Sequence, residues 1–493
     1  MAMSETPVSA TTADYVAFHA AQRPDAVAAI CAGRTIVYAD FDRDLAKVAS
    51  ALRGLDVAAG TRVAIGATDV YLHWLLLIAC EHLGAVSTSY FGDEVGDRAR
   101  FLAGVDLVLA EPTRPVAGPI RHVAMTADWL RGVFATTGAL GQAARTPPEH
   151  PVRITRTSGT TGASKRLVLT RRMYEAWIDR WRWSLGITRE TRFLLTMSFA
   201  STGKYALANS VLRTGGAVVA ARFDSVAAVA GAVAAHAIDL VILMPIQLKQ
   251  ILDKLPPGFT KPPRLTIGTI GAAASDALVE RAMRHLATEV IAYYGSNEIP
   301  FIAESRTPTK TDVATVFPWV QAEVVDDEGM PLPHGALGRI RLKADTMATG
   351  YLDDPETSGR MFRDGWFYPG DAGVLRGEGR LQVVGRADDL MNIGGQKLPP
   401  SGIEAVVASR LPDGDIGVCS LRNAEGIESL YVALAAPQSD DELRRRIAGV
   451  FEGLGVGDVH LVRLARIPRN ANGKIMRADL KEAVLTAVGV ARG

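Results

Sequence analysis

Along the N-terminal part of the chain, apolar positions switch repeatedly between helical and strand-like spacing. "TTADYVAFHAAQRP" (11–24) reads as a capped helix, and "TIVYADFDRDLAKVASALRGL" (35–55) as a strand followed by an amphipathic helix. "TRVAIGA" (61–67) and "LGAVSTSY" (83–90) read as strands around the helix "DVYLHWLLLIACEH" (69–82). The pattern continues with the strand "GAVVAARF", the Ala-rich helix "SVAAVAGAVAAHA" and the strand "DLVILMP". Strands alternating with helices of this length predict a largely parallel α/β sheet covered on both faces.

The character changes after about residue 315. "AEVVDDEGMPLPHGALGRIRLKAD", "DGWFYPGDAGVL" and "GRLQVVGRADDL" predict a β-rich part. From Gly394 an α+β pattern follows: helix "PSGIEAVVASRL", strands "DIGVCSL" and "SLYVALAA", helix "DDELRRRIAGVF", strand "DVHLVRLA" and helix "RADLKEAVLTAVGV". The expectation is a large α/β domain over 1–387 and a small α+β domain over 388–493. The boundary falls near "GRADDL", a short charged segment suited to a hinge.

Composition narrows the function classes. The 493 residues carry 54 Lys plus Arg against 53 Asp plus Glu, a net charge of +1, so no broad field favours nucleic acid or an anionic membrane. The "RRR" at 444–446 then reads as a solvated helix face. Cys31, Cys80 and Cys419 lie far apart in apolar surroundings, which points to core residues of a reducing compartment. The histidines form no metal-binding motif, the N-terminus shows no secretory pattern, and "WLLLIAC" (74–80) is too short to span a bilayer. A soluble cytoplasmic protein is the default expectation.

Chemistry gathers in five stretches. In "TSGTTGASK" (157–165), Gly159 and Gly162 let backbone N–H groups converge on an anion, and Thr157, Ser158, Thr160 and Thr161 add hydroxyls. Lys165 adds a mobile positive charge. The flanks Val152–Arg156 and Leu167–Thr170 look like strands, so the loop joins two strands and opens no helix, although the stretch alone also fits an ordinary polar hairpin. "GTIGAAAS" (268–275) precedes "VIAYYGSNEIP" (290–300), where Tyr293–Tyr294–Gly295 ends a strand and Glu298 follows. An aromatic there suits stacking on a nucleobase and the carboxylate suits Mg²⁺; a core tyrosine pair and a surface glutamate fit equally well. "DGWFYPGD" (364–371) offers Asp371 as a ribose acceptor. "GRADDLMNIGGQKLPPSGIE" (385–404) and "PRNANGKIMRADL" (468–480) complete the set, the latter placing Lys474 after a flexible Asn-Gly.

Together, in this order and spacing, the five stretches resemble the adenylate-forming superfamily: acyl- and aryl-CoA synthetases, firefly luciferase and peptide-synthetase adenylation domains. The resemblance covers nearly the whole chain. It implies that Thr157–Lys165 covers the triphosphate and that Gly271, Ala272 and Ala273 wall the adenine beside Tyr293 and Tyr294. Asn297 would face phosphate, Glu298 hold Mg²⁺, and Asp371 and Arg386 meet ribose or phosphate. Asp388 would be the hinge of a mobile small domain, Gly395 and Lys397 would meet nucleotide and pantetheine during thiol transfer, and Lys474 would bridge the substrate carboxylate and the α-phosphate. The implied reaction is attack of a carboxylate on ATP to give acyl-AMP and pyrophosphate, then transfer to CoA.

Several positions depart from that pattern: "ASK" replaces Pro-Lys, and Asn297, Pro369 and Gly402 stand where Thr, Thr and Glu are usual. None removes a charged catalytic group. The acyl-pocket stretch "SFASTGKYALANSVLRTGGAVV" (198–219) has no Asp after Phe199, which argues against an α-amino acid. Phe199, Ala200, Lys204 and Gly295 are the pocket candidates, and the "FA-x-x-G" pattern is closest to benzoate-type CoA ligases. Lys204 fits either a contact to a second acidic or phenolic group or a plain surface lysine. A carrier-protein pantetheine arm, an amine acceptor and a non-catalytic nucleotide-binding module are the alternatives.

Overall fold

The structure, a computed structural model, describes residues 10–90, 101–114, 116, 119–157, 165–196, 198–220, 226–271, 274–306, 313–393, 396–411, 414–422, 428–435, 442, 445, 451, 459–469 and 475–489. Two α/β sheets form the large domain. A six-stranded sheet runs parallel from Arg121–Ala124 through Leu107–Ala110, Arg62–Gly66 and Val86–Ser89 to Pro151–Thr157, and ends on the antiparallel strand Lys165–Thr170. A fifteen-stranded sheet has a parallel block of Glu289–Tyr294, Thr266–Thr269, Leu240–Leu243, Arg192–Leu195, Ala217–Ala220 and Val27–Cys31. The expected β-rich part is no separate layer. Its strands extend this same sheet antiparallel, through Ala303–Arg306 and Val313–Val316 to Arg380–Arg386 and Asp371–Leu375.

The expected helices form where local chemistry starts them. Asp14 accepts from the Thr11 N–H at 2.7 Å and opens Thr12–Gln22, and Asp69 accepts from Leu72 at 2.7 Å to open Val70–His82. Val70–His82 is buried on nearly every face, with Trp74 packed edge-on against Phe41 and tilted against Phe199, so it belongs to the core between layers. The three cysteines are buried and free. No described helix is long and apolar enough to cross a membrane.

Past Asp388 a hairpin of Met391–Ile393 and Gln396–Leu398 leads to a three-stranded sheet of Asp415–Arg422, Glu428–Ala435 and Val459–Arg463. The helices Pro400–Arg410 and Arg477–Val488 pack on it, and this unit has its own apolar clusters around Val407, Val418, Val432 and Leu480. Arg477 ties them together by bonding Glu404 and the Val418 carbonyl. The expected "DDELRRRIAGVF" helix, and with it the Arg run at 444–446, falls largely outside the described residues.

A buried ion-pair network links helices of the large domain. Arg213 reaches Glu81 at 2.9 Å and Glu175 at 2.5 Å, and Glu81 also accepts from the Thr12 N–H at 2.8 Å, so one network joins four helices. Arg213→Met would strand Glu81, which burial already pushes toward its neutral form, and should cost about 3–5 kcal/mol in denaturant unfolding. Adding Glu81→Gln should recover part of that loss; fully additive losses would show that the two groups are not coupled.

Candidate active site

The phosphate-loop candidate sits at the tip of an antiparallel hairpin. Pro151–Thr157 pairs with Lys165–Thr170, and Thr157 stands opposite Lys165 in register. The two-strand setting expected for this loop is therefore present. Ser158, Gly159, Thr160, Thr161 and Gly162 lie outside the described residues. Lys165, at the base, directs its Nζ over the Tyr351 ring at 4.9 Å from the centroid. The Tyr351 hydroxyl donates to Glu298 Oε1 at 2.7 Å. Burial lowers the Lys165 pKa and the Glu298 carboxylate opposes that shift. Burial and the same carboxylate push the Tyr351 hydroxyl well up. Leu352 N–H to the Arg166 carbonyl at 2.8 Å clips the Tyr351 segment to the hairpin.

A second cluster lies on the other side of the same strand end. The Tyr294 hydroxyl donates to Asp371 Oδ2 at 2.7 Å, and Arg386 Nη1 donates to Asp371 Oδ1 at 3.1 Å and to the Pro369 carbonyl at 2.6 Å. Asp371 and Arg386 face each other in register. Gly370, at φ +78°, makes the approach possible, because a Cβ there would lie 2.5 Å from Arg386 Nη2. Pro369 lacks the usual threonine hydroxyl, yet its carbonyl holds Arg386. Burial and Asp371 raise the Tyr294 pKa well above its ordinary value.

The turn between the clusters is Gly295–Pro300. A Cβ on Gly295 would lie 2.0 Å from the Pro300 carbonyl oxygen, so only glycine fits. Beyond it, Asn297 donates to the Arg156 carbonyl at 3.0 Å and ties the turn to the strand that enters the candidate phosphate loop. Gly271 turns at φ +86° after Thr266–Thr269; Ala272 and Ala273 are outside the described residues.

Other candidates separate. Strand alternation turns Tyr293 to the face opposite Tyr294. Its hydroxyl bonds Ser184 at 2.7 Å and its ring packs on Trp181 and Phe301, so it belongs to the core. Phe199 is fully buried among Trp74, His73 and Tyr205, with Ala200 half-buried beside it. Lys204 is not the surface lysine that remained open: it is 2% exposed. Asp388 is exposed in a short 3₁₀ turn and lies 3.5 Å from Arg339. Gly395 and Lys474 fall outside the described residues, and of Lys397 only its strand position is described. Arg469 and Ile475, flanking Lys474, pair as an antiparallel bridge.

Sequence reasoning missed Tyr351 and Arg153. Tyr351 sits in "TGYLDDPE" with no spacing that marks it. Arg153 was signalled by a charge in an otherwise strand-like run; it is buried and donates to Ser87, Ser89, Thr202 and the Phe199 carbonyl.

Comparison with known proteins settles the family. The profile of the AMP-binding enzymes matches residues 16–352. The chain belongs to the AMP-binding enzyme family. The fatty acid–[acyl-carrier-protein] ligase ScoC of Streptomyces coeruleorubidus is 25% identical, with 97% of each chain covered. A feruloyl-CoA synthase of Amycolatopsis sp is 25% identical over 93% of this chain and 96% of its own. ATP-bound MatB from Rhodopseudomonas palustris shares the fold, with a TM-score of 0.82 at 21% identity over 95% of this chain and 98% of its own. This AMP-binding enzyme is an AMP-forming acid–thiol ligase: it converts a carboxylate to the acyl-adenylate with release of pyrophosphate and passes the acyl group to a thiol.

The donor set at Glu298 suits Mg²⁺. No group of three or more His, Cys, Asp or Glu among the described residues forms a metal cage. A single buried, hydrogen-bonded carboxylate matches an ion that keeps its waters and takes substrate phosphates as its other ligands. Tyr351→Phe keeps the ring beside Lys165 and removes the hydrogen bond to Glu298. Losing one bond to a charged group, about 1.5 kcal/mol, should lower kcat/KM for Mg·ATP about tenfold in a pyrophosphate-release assay. An unchanged value would show that Tyr351 does not position Glu298.

Proposed function

We propose that this ligase activates a compact carboxylic acid, aromatic by preference, and transfers it to CoA. The observation that carries the residue assignment is the meeting of Lys165–Tyr351–Glu298 and Tyr294–Asp371–Arg386 at one strand end, from segments far apart in sequence. In this reading the 157–165 loop covers the triphosphate and Lys165 follows its charge. Asp371 accepts from the ribose hydroxyls while Arg386 holds Asp371 in place. The adenine lies between the Gly271 turn and Tyr294. Glu298 holds Mg²⁺, which when bound offsets charge on the phosphates.

The substrate carboxylate oxygen attacks the α-phosphorus, and the bond to the bridging oxygen of pyrophosphate breaks. Two anions meet in this step, so repulsion dominates the barrier, and Lys474 supplies positive charge where it develops. The domains then divide at Asp388, 1–387 from 388–493, and the small one turns. Lys474 leaves, the Gly395–Lys397 face arrives, and the thiol sulfur attacks the acyl carbon with AMP as leaving group. The free, buried cysteines fit a reducing cytoplasm.

A carrier-protein pantetheine arm in place of CoA is the second reading. It is favoured by the match over 97% of both chains to an enzyme named as an acyl-carrier-protein ligase. Pyrophosphate release across a carboxylic-acid panel, followed by thioester formation with CoA or with a loaded carrier, separates the two. Formation of ADP and phosphate would overturn adenylation.

The roles divide between half-reactions. Lys474→Ala should slow acyl-AMP formation by about a hundred- to a thousandfold, or roughly 2.7–4 kcal/mol. Supplied with synthetic acyl-AMP, the same variant should form thioester at near the normal rate. Asp388→Pro should do the reverse. Single-turnover kinetics of each half measures both, and equal damage to the two halves in Lys474→Ala would refute the domain turn.

A further inference from the structure

Lys204 lies in the first turn of the helix Thr202–Thr214 and is 2% exposed. Its ammonium donates to the Ile242 carbonyl at 3.0 Å and to Thr196 Oγ1 at 3.3 Å. An ammonium has three donors, so one is left over. No carboxylate among the described residues pairs with it. Other buried cations of this chain are treated differently: Arg213 meets Glu81 and Glu175, Arg180 meets Asp345, and Arg166 meets Asp353. Arg153 also lacks a carboxylate, but four neutral acceptors and the Tyr205 ring occupy its guanidinium. Among the described residues, Lys204 is thus a buried point charge with neither counter-ion nor full hydrogen bonding. It also sits at a helix N-terminus, where the backbone already presents positive partial charge.

Its position gives the charge a use. Ile242 belongs to Leu240–Leu243, and Thr196 follows Arg192–Leu195 directly; both strands run parallel and end on the same edge. Ligands of parallel α/β sheets bind outside that carboxyl edge. In the same sheet, Thr266–Thr269 leads to Gly271 and Glu289–Tyr294 leads to Gly295 and Glu298. Ile242 stands opposite Gly268, and Gly268 opposite Ile291, so Lys204 is held two strands, about 10 Å, from the Tyr294 strand. The Phe199–Ala200 corner precedes it on the chain.

We propose that Lys204 is the counter-ion for a second carboxylate on the substrate, so that the ligase takes a compact dicarboxylic acid and adenylates the end remote from Lys204. This rests on the adenylation reading above and names its substrate class. The separation suits two carboxylates divided by a benzene ring or by a chain of similar reach. Burial also holds the Lys204 pKa down to about 7, so an arriving anion restores a charge that the fold alone disfavours.

The test compares isophthalate with 3-carbamoylbenzoate, its neutral counterpart, in wild-type, Lys204→Met and Lys204→Arg full-length enzyme, read as kcat/KM for pyrophosphate release. Wild type should favour isophthalate. Lys204→Met should lose about a hundredfold on isophthalate, mainly through KM, and little on the amide; Lys204→Arg should retain part of the preference. The circular-dichroism spectrum and thermal midpoint of each variant serve as the folding control, and if Lys204→Met fails to fold, the wild-type preference still decides. Wild type favouring the amide, or Lys204→Met acting alike on both acids, would overturn the proposal and leave Lys204 as a structural donor. Absence of pyrophosphate release with every acid in a broad panel would instead overturn the adenylation reading.

Discussion

The site depends on one backbone contact, the approach of Gly295 to the Pro300 carbonyl. A side chain at position 295 would overlap that oxygen at 2.0 Å, so the chain turns back on itself immediately after Tyr294. That turn lets one strand end serve two clusters. Tyr294 projects to Asp371, which Arg386 also holds, while Glu298, within the turn, projects to Tyr351 under Lys165. Asn297 fixes the same turn to the hairpin of Pro151–Thr157 and Lys165–Thr170. Sheet pairing brings other parts of the site to this corner: the hairpin register sets Lys165, and the Asp371–Arg386 register sets the ribose candidates.

Most of the local structure was legible because periodicity and caps act over a few residues. The helix Tyr38–Gly54, the strand Arg62–Gly66 and the strand-flanked loop all follow from spacing and turn chemistry. The arrangement of strands was not. Nothing in "GRLQVVGRADDL" says that its strand pairs with Val313–Val316 and so continues the parallel sheet. Tyr351 was hidden for the same reason, since its partners Lys165 and Glu298 come from distant segments. Lys204 was ambiguous because a lysine in an amphipathic helix usually faces water; only the packing of the helix over two strand ends buries it.

Charge is handled in two ways. In the scaffold, buried cations find carboxylates, as at Arg213, and the pairing links elements that hydrophobic contact alone leaves free to slide. Arg386 and Asp371 pair within the site, but Lys165, Arg153 and Lys204 are held among the described residues by an aromatic ring or by neutral hydrogen-bond partners. Groups held that way are available to an anionic ligand without first breaking an internal ion pair.

The pairing of Val27–Cys31 with Ala217–Ala220 has a consequence for synthesis. The first strand of the chain has its parallel neighbour on the order of 190 residues later, so during translation it waits for that segment to leave the ribosome. At bacterial to eukaryotic elongation rates the wait is roughly ten to forty seconds. Meanwhile its apolar face and its hairpin with Arg34–Val37 stand without a sheet to join. The six-stranded sheet, drawn from residues 62 to 170, is complete before that neighbour appears. It is therefore the part able to fold first, ahead of the sheet that Val27–Cys31 joins.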